Sequence, residues 1–453
     1  MQREDNSEAS TVEDLEQEPP GPAALDECQA PFAGMDGFTF KNPAFNDWKW
    51  QMRNRIRSFE QLKKYLPSIA LNFEIPQVIQ KYPLAITPYY ASLIQIPSPQ
   101  DPVFAMSVPQ ISELFDPGFL SEDPLDEHAD MPVPGLIHRY QDRALVILTT
   151  TCASYCRHCT RKRIAGKREV SISPKRLEQV IQYLEAHPEI SDVILSGGDP
   201  LTMTTEGLET VLRQIRAVKS VEVIRIGTRV PVVLPMRIDE ELVDMLKKYH
   251  PLWINTHFNH SQEITRQSAE ACTKLADAGI PLGNQTVLLR GVNDNPKIIE
   301  QLCRQLIRIR VRPYYLYQCD LVRGLEHFRT PLSKGIEIVE YLRGRVSGMA
   351  IPVFTVDLPS GGGKVPVSPN YVVSVSPTHT VLRNYEGLFV SYPEPGFEPD
   401  FDLSAQSVSS PGIWELACGR ASGIRPSETV RHKRRSAIKN RIKSPDDQGT
   451  LFE

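Results

Sequence analysis

The chain has 453 residues, a formal net charge of −4 and 8 cysteines, and its 41% hydrophobic and 23% charged content is that of a globular protein with one large α/β domain and appendages. The small net charge argues against a nucleic acid or an anionic membrane surface as partner, and no run of 18 apolar residues predicts a membrane span. The acidic start MQREDNSEAS lacks the apolar core of a signal peptide, so we expect a cytoplasmic protein.

The two ends of the chain differ in composition from its centre. We predict a disordered acidic tail over residues 1–44, because Glu, Pro and small residues dominate there. Residues 45–135 are predicted as a helical segment, from the helical spacing of apolar residues in DWKWQMRNRIRSFEQLKKYL, ending in the Pro- and Asp-rich linker DPLDEHADMPVPGL. Residues 366–395 are predicted as an extension of the core. Residues 396–453 are predicted as a basic tail of low order, with no nucleic-acid contact expected from the run RHKRRSAIKNRIK.

Short apolar strands alternate with helical patterns over residues 136–365. The predicted strands are ALVILTT, DVILS, VEVIRIG, LWINTHF, GNQTVLL, PYYLY and PVFTV. Strands that alternate with helices pair in parallel through right-handed crossovers. Because polar residues gather at the carboxyl ends of the strands, the pattern predicts an α/β fold with a TIM-like partial (β/α) barrel, and an open doubly wound sheet is the alternative.

Three cysteines, Cys152, Cys156 and Cys159, lie in the loop CASYCRHC after the first predicted strand. A structural zinc ion needs four ligands, usually in two pairs, and a four-iron cluster normally takes four cysteines. Three cysteines would therefore leave one iron open for a small molecule. The spacing Cys-x3-Cys-x2-Cys resembles the radical S-adenosylmethionine (SAM) superfamily, in which a 4Fe-4S cluster binds SAM at its open iron. A non-catalytic metal-binding protein is the alternative from a different class.

Two glycine-rich stretches follow strands. Gly197 and Gly198, with Asp199 in LSGGDP, let the backbone come close to a ligand at a strand end, and they resemble the superfamily's motif for the SAM amino group. The second stretch, DLPSGGGKVPVSPNY, contains Lys364 and is no P-loop, because Leu358 stands where that motif needs a glycine. From this loop alone, a solvent-exposed lysine in a flexible loop is favoured over a lysine that forms an imine.

Five stretches in this order resemble the lysine 2,3-aminomutase family: CASYCRHCTRKR, LSGGDP, IGTRVPVVLP, CDLVRGLEHFRTPLSKGIEI and PSGGGKVPVSPNY. The resemblance covers about residues 45–390 and implies an isomerase of the radical SAM type that uses a 4Fe-4S cluster, SAM and pyridoxal 5′-phosphate (PLP). It implies the three cysteines as cluster ligands and Lys364 as the PLP lysine, which reverses the interpretation from the loop alone. It also implies Arg143 at the PLP phosphate, and His257 and Gln285 beside Gly197, Gly198 and Asp199 at SAM.

The resemblance also implies how the substrate is held. Arg161 matches the arginine for the substrate carboxylate, and Asp320 and Asp357 match two aspartates for its distal ammonium group. The related glutamate 2,3-aminomutases carry a lysine and an asparagine instead, so two aspartates favour lysine over glutamate. Arginine remains an alternative substrate. A branch that makes β-lysine for a translation elongation factor ranks lower, because its members are shorter.

The family resemblance extends to partners. It implies an electron donor such as flavodoxin or ferredoxin, a small amino acid as substrate and a homo-oligomer. Some members bind zinc through a C-terminal cysteine cluster, and we expect no such site here because Cys418 is alone in that region. From residue 396 onward the sequence shows no recognisable family pattern.

Overall fold

The structure is a computed structural model and describes residues 43–67, 69, 74–166, 168–395, 412–421 and 423–424. The prediction of a disordered acidic tail therefore falls almost wholly outside the described residues, as does most of the basic tail. Among the residues that are described, no helix combines the length and apolarity needed to cross a bilayer.

The described part of the N-terminal segment, residues 43–135, forms five short α-helices, and four of them begin at side-chain caps. Asp47, Ser58, Thr87 and Asp101 each accept a hydrogen bond from the first turn of the helix that follows. The helices are α1 Trp48–Arg53, α2 Phe59–Tyr65, α3 Ile75–Lys81, α4 Pro88–Ser92 and α5 Pro102–Ser107. The segment also contains 3-10 helices at Pro43–Asn46 and Ile111–Leu114.

Nine strands form one sheet in which the spatial order follows the chain order. The strands are β1 Leu136–Tyr140, β2 Arg143–Thr149, β3 Asp192–Gly197, β4 Val223–Gly227, β5 Leu252–Thr256, β6 Leu282–Leu288, β7 Arg312–Gln318, β8 Val353–Leu358 and β9 Gly363–Pro366. Strands β2 to β8 are parallel and correspond to the seven predicted strands, whereas β1 and β9 add antiparallel edges. The prediction of a TIM-like partial barrel is confirmed.

Helices follow the parallel strands and cover the outside of the barrel. They are α6 Pro174–Ala186, α7 Thr205–Ala217, α8 Val230–Val233, α9 Glu240–Lys247, α10 Arg266–Asp277, α11 Pro296–Arg308 and α12 Leu332–Leu342. Ser173, Thr204 and Asp239 cap three of them through their side chains. Each cap residue is the last residue before its helix, so it determines where that helix begins.

Side chains of the barrel strands alternate between the helical layer and the interior. On β2, Ala144, Val146 and Leu148 are buried on the outer face, and Leu145 points inward to a cavity. The interior of an ordinary TIM barrel is filled by bulky branched side chains. Here the inward positions leave open space, which contains the candidate site.

The chain after β9 forms a separate small sheet. Strands β10 Val372–Val375, β11 His379–Arg383, β12 Phe389–Pro393 and β13 Gly423–Ile424 pair antiparallel in chain order, beside helix α13 Ile413–Ala417. The structure thus differs from the prediction of a tail of low order in residues 412–421 and 423–424. Serine- and proline-rich composition did not reveal that this part of the chain pairs with β12.

Candidate active site

A cavity of about 330 Å³ lies at the carboxyl ends of the barrel strands. Every predicted site residue except Arg143 lines it: Cys152, Cys156, Cys159, Arg161, Gly197, Gly198, Asp199, His257, Gln285, Asp320, Asp357 and Lys364. The parallel strands bring these residues together, because their carboxyl ends meet on one side of the barrel.

Arg143 lies at the other end of its strand. It is the first residue of β2, its Nε atom donates to Asp142 at 2.9 Å, and its guanidinium stacks over the ring of Tyr140 at 5.0 Å. Hydrogen bonding to Asp142 raises the pKa of Arg143, and Asp192 adds to the effect. Asp192 also forms an ion pair with Arg225, a cavity residue, at 2.6 Å. Arg143 and Arg225 therefore each form an ion pair with an aspartate, and of the two only Arg225 is among the residues that line the cavity.

The cysteine loop is anchored to the N-terminal segment. Tyr155 N–H donates to the carbonyl of Ala85 at 2.8 Å, and Arg157 N–H donates to that of Met106 at 2.9 Å. Among the described residues, no three His, Cys, Asp or Glu side chains converge as ligands of one metal ion would. Three separated thiols fit a cluster, because each thiolate in a cluster binds a different iron.

A buried ion network lies behind the cysteine loop. Glu113 accepts from Arg157 at 2.6 Å and from Lys162 at 2.7 Å, and Lys162 also donates to the carbonyl of Gly324 at 3.1 Å. Burial alone would raise the pKa of Glu113, but the two cations hold it below its ordinary value. The network joins the N-terminal segment, the cysteine loop and the loop that follows Asp320. Glu113 was not predicted from the sequence.

The two glycines of LSGGDP are required by a close approach of backbones. Gly197 has a φ of +119°, and a Cβ atom there would collide with the carbonyl of Thr149. A Cβ atom on Gly198 would collide with the carbonyl of Thr151. The end of β3 thus lies directly against the start of the cysteine loop, which keeps both in the wall of the cavity.

Asp199 uses both carboxylate oxygens within the protein. It accepts from the Thr228 hydroxyl at 2.7 Å, from Arg229 N–H at 2.7 Å and from Leu201 N–H at 3.1 Å. Burial raises its pKa to about 6, although these hydrogen bonds oppose the change. Asp199 joins the ends of β3 and β4, and its predicted contact with SAM stays a prediction.

Arg229 is a site residue that the sequence reasoning missed. Its Nη1 atom donates to the Cys156 sulfur at 2.9 Å, and its Nη2 atom donates to Glu263 at 2.6 Å and to the Tyr90 hydroxyl at 2.9 Å. A buried cation beside the sulfur stabilises negative charge there. Its position in IGTRVPVV, just after a strand, was the available signal.

His257 directly follows β5 and lies beside Gln285, the central residue of β6. Burial lowers the pKa of His257 to about 4, so its ring is neutral at pH 7. The Nδ1 atom lies 3.1 Å from the carbonyl oxygen of Gln285, which assigns the proton to Nδ1. Nε2 is then an acceptor. His158 also lines the cavity, and its buried Nδ1 atom has no hydrogen-bond partner among the described residues.

Lys364 lies on strand β9, not in the flexible loop that its sequence context alone favours. Its N–H donates to the Tyr140 hydroxyl at 2.9 Å, and its Nζ atom lies 2.7 Å and 2.8 Å from the two carboxylate oxygens of Asp357. The ammonium also lies 4.8 Å from the centre of the Tyr317 ring. Burial, followed by the nearby Asp357 carboxylate, raises the pKa of Asp320 to about 7. One ammonium and two carboxyl groups thus meet at one end of the cavity.

Arg161 is held by a carboxylate from the stretch predicted as a linker. Glu127 accepts from Arg161 Nε at 3.1 Å and from Nη2 at 2.7 Å, and it also accepts from Arg163 at 2.7 Å. The Nη1 atom of Arg161 lies 3.4 Å from the Ser196 hydroxyl at the end of β3. Glu127 was not predicted from the sequence, because Asp- and Pro-rich composition is typical of linkers.

The barrel and its cysteine loop define a radical SAM enzyme, and the model of the Radical SAM superfamily matches residues 146–302. The family model described as Lysine-2,3-aminomutase matches residues 339–449. The L-lysine 2,3-aminomutase of Clostridium subterminale is 51% identical over 86% of this chain and 95% of its own. That of Bacillus subtilis is 46% identical over 87% and 86%. The chain belongs to the lysine 2,3-aminomutase family.

Two further results concern how far the family match extends along the chain and how similar the chain is to an enzyme that acts on glutamate. The match to residues 339–449 shows that the family pattern continues past residue 396, so the expectation of no pattern there was wrong. The glutamate 2,3-aminomutase of Clostridioides difficile is 43% identical over 79% of this chain and 84% of its own. Its lower identity agrees with the preference for lysine over glutamate.

Proposed function

We propose that the protein moves the amino group of L-lysine from C2 to C3 to give β-lysine. The observation that carries this proposal is the meeting of Lys364, Asp357 and Asp320 in the same cavity as Arg161. A cavity with a guanidinium at one place and two carboxyl groups at another is complementary to an amino acid with a cationic side chain. The lysine 2,3-aminomutases among its relatives support the same substrate.

The residues present fit the three groups that the family implies. Cys152, Cys156 and Cys159 would hold a 4Fe-4S cluster, and the glycine backbone at the end of β3 would face SAM. Lys364 would hold PLP, and Arg225, which lines the cavity, and Arg143 would be the groups for its phosphate. When bound, these groups supply a carbon radical and a conjugated ring that carries the migrating nitrogen.

The protein itself would bind, orient and shield the substrate. Arg161 would bind the α-carboxylate through its remaining N–H groups, and Asp320 with Asp357 would accept hydrogen bonds from the distal ammonium. The ammonium of Lys364 now lies against Asp357, so it stands where the distal ammonium of lysine would lie. The two fixed ends of the substrate would determine which hydrogen of C3 faces the radical.

An anaerobic turnover assay tests the proposal. The chain would be loaded with iron, sulfide, PLP and SAM, reduced, and offered L-lysine, L-arginine and L-glutamate in separate reactions. We expect β-lysine from L-lysine, with kcat/KM for the other two at least tenfold lower. Preferred formation of β-arginine would establish the arginine alternative. Formation of β-glutamate, or of no β-amino acid, would refute the assignment of the two aspartates.

We further propose an electron donor of the flavodoxin or ferredoxin kind in the cytoplasm. The radical SAM family implies a cluster that must gain one electron before SAM is cleaved. Turnover with such a protein and its reductase, in place of a chemical reductant, tests this proposal. A chain that works with the chemical reductant and with neither carrier would contradict it.

A homo-oligomer is proposed from the small C-terminal sheet. Val375 on β10 and Trp414 on α13 are 71% and 67% exposed, and Val372 and Tyr392 of the small sheet are exposed as well. Exposed apolar patches of this kind mark interaction surfaces. Sedimentation of the full chain tests this, and a monomer at micromolar concentration would refute it.

A further inference from the structure

Residues 121–130 lie beside the cavity, which Leu125 lines, and we name them the strap. Ser121 exchanges backbone hydrogen bonds with Leu321 and Arg323, at 2.9 Å and 3.0 Å, in the loop after Asp320. Pro124 accepts from Ser360 N–H at 3.3 Å, in the turn before Lys364. The strap therefore contacts both segments that carry the groups predicted for the distal ammonium.

The strap also holds the cysteine-loop arginines. Asp123 forms an ion pair with Arg163 at 3.1 Å, and Glu127 accepts from both Arg161 and Arg163 at 2.7 Å. The Glu127 side chain is only 5% exposed. Burial alone would raise its pKa, but the two guanidinium groups hold it below its ordinary value, so Glu127 is an anion. A buried anion with this many donors is fixed in position.

The ion pair of Arg161 with Glu127 leaves one edge of the guanidinium group available for a second carboxylate. Glu127 takes the Nε and Nη2 atoms, which form one edge of the planar group. The edge formed by Nη1 and the second hydrogen of Nη2 remains, and among the described residues Nη1 has only a long contact, to the Ser196 hydroxyl at 3.4 Å. A guanidinium has five N–H donors and can bind two carboxylates through two edges.

From these contacts we propose that Glu127 is a positioning residue that orients Arg161 toward the α-carboxylate of the substrate. The inference rests on the proposed function, in which Arg161 binds that carboxylate. Glu127 does not touch the substrate: it fixes the guanidinium plane, and the strap fixes Glu127 relative to the loop of Asp320. The two ends of the substrate site are thereby held at one separation.

The test compares two ligands that differ only at the carboxylate. Dissociation constants of L-lysine and L-lysinamide would be measured for the PLP-loaded full chain from the absorbance change of PLP. In Glu127→Gln we expect the constant for L-lysine to rise about tenfold, the factor for one lost charge-assisted hydrogen bond. The constant for L-lysinamide should stay within about threefold, since it has no carboxylate for Arg161.

Glu122→Gln is the matched control, because Glu122 lies on the same strap with a side chain that is 65% exposed. It should bind both ligands as the unchanged chain does. Thermal unfolding would verify that Glu127→Gln is folded. If it is not, Glu127→Asp replaces it in the test, because aspartate keeps the charge but is one methylene too short to reach Arg161 in the same way. The same selective loss is expected from that variant.

Three results would overturn the inference. The first is that both dissociation constants rise equally, and the second is that neither rises. The third is that Glu127→Gln binds L-lysine more tightly, which would mean that Glu127 competes with the substrate for Arg161. Failure of the proposed function looks different, because the unchanged chain would then form no β-lysine. If it forms β-lysine and Glu127→Gln binds L-lysine normally, only the inference fails.

Discussion

Substitution of Asp320 by asparagine tests the substrate end of the cavity. The change preserves the shape of the side chain and removes one negative charge beside Asp357, whose own carboxylate is unchanged. The Asp320 carboxylate accepts no hydrogen bond from another described side chain, so the loss falls on the substrate. A charge-assisted hydrogen bond contributes about 1.5–3 kcal/mol, which is about a 10- to 150-fold decrease in kcat/KM for L-lysine.

The pH dependence gives a second, independent result. Because burial raises the pKa of Asp320 to about 7, the free enzyme is protonated there below neutral pH and ionised above it. The ionised form binds a cationic side chain better, so kcat/KM for L-lysine should rise with pH through about 7. In Asp320→Asn this rise should disappear, since no group titrates at that position.

The assay is anaerobic turnover of L-lysine between pH 6 and 9, with β-lysine separated by chromatography, as in the test of function. Asp244→Asn is the matched control, because Asp244 is exposed on helix α9 and forms an ion pair with the likewise exposed Lys247. The absorbance of bound PLP should be equal in all three proteins. A kcat/KM for Asp320→Asn within twofold of the unchanged chain, with an unaltered pH profile, would refute the placement of Asp320 at the distal ammonium.

Other predictions concern the cofactors and the barrel. Cys159→Ala should lower bound iron and the brown colour of the reconstituted chain to near background while leaving PLP binding intact; retained iron would contradict its role as a ligand. Lys364→Ala should abolish the visible absorbance of a PLP–lysine imine and at least 99% of turnover, and near-normal absorbance would place PLP on another lysine. Gly335→Ala should lower the free energy of unfolding by about 1–3 kcal/mol, because the new methyl group would overlap the ring of Phe354. Gly348→Ala has open space at its Cβ position and should unfold as the unchanged chain does.

Much of the fold follows from local sequence patterns. Seven apolar runs separated by helical patterns predicted strands β2 to β8, and right-handed crossovers then allow few topologies. The edge strands β1 and β9 were missed, because each is short and depends on pairing with one neighbour. The same applies to β13, a two-residue strand that exists only beside β12.

The sequence by itself determined which chemistry to expect at the site. The spacing of Cys152, Cys156 and Cys159 places three thiols in one loop, and the resemblance to the family's motifs implies which lysine and which aspartates accompany them. Only the tertiary structure decided what surrounds these groups. Glu127 is 34 residues away from Arg161 along the chain, and Arg229 is 73 residues from Cys156. Composition indicates the local preference of the backbone, whereas side-chain pairs between distant residues depend on where the folded chain brings their segments together. For this reason a stretch with the composition of a linker lies beside the cavity and holds Arg161.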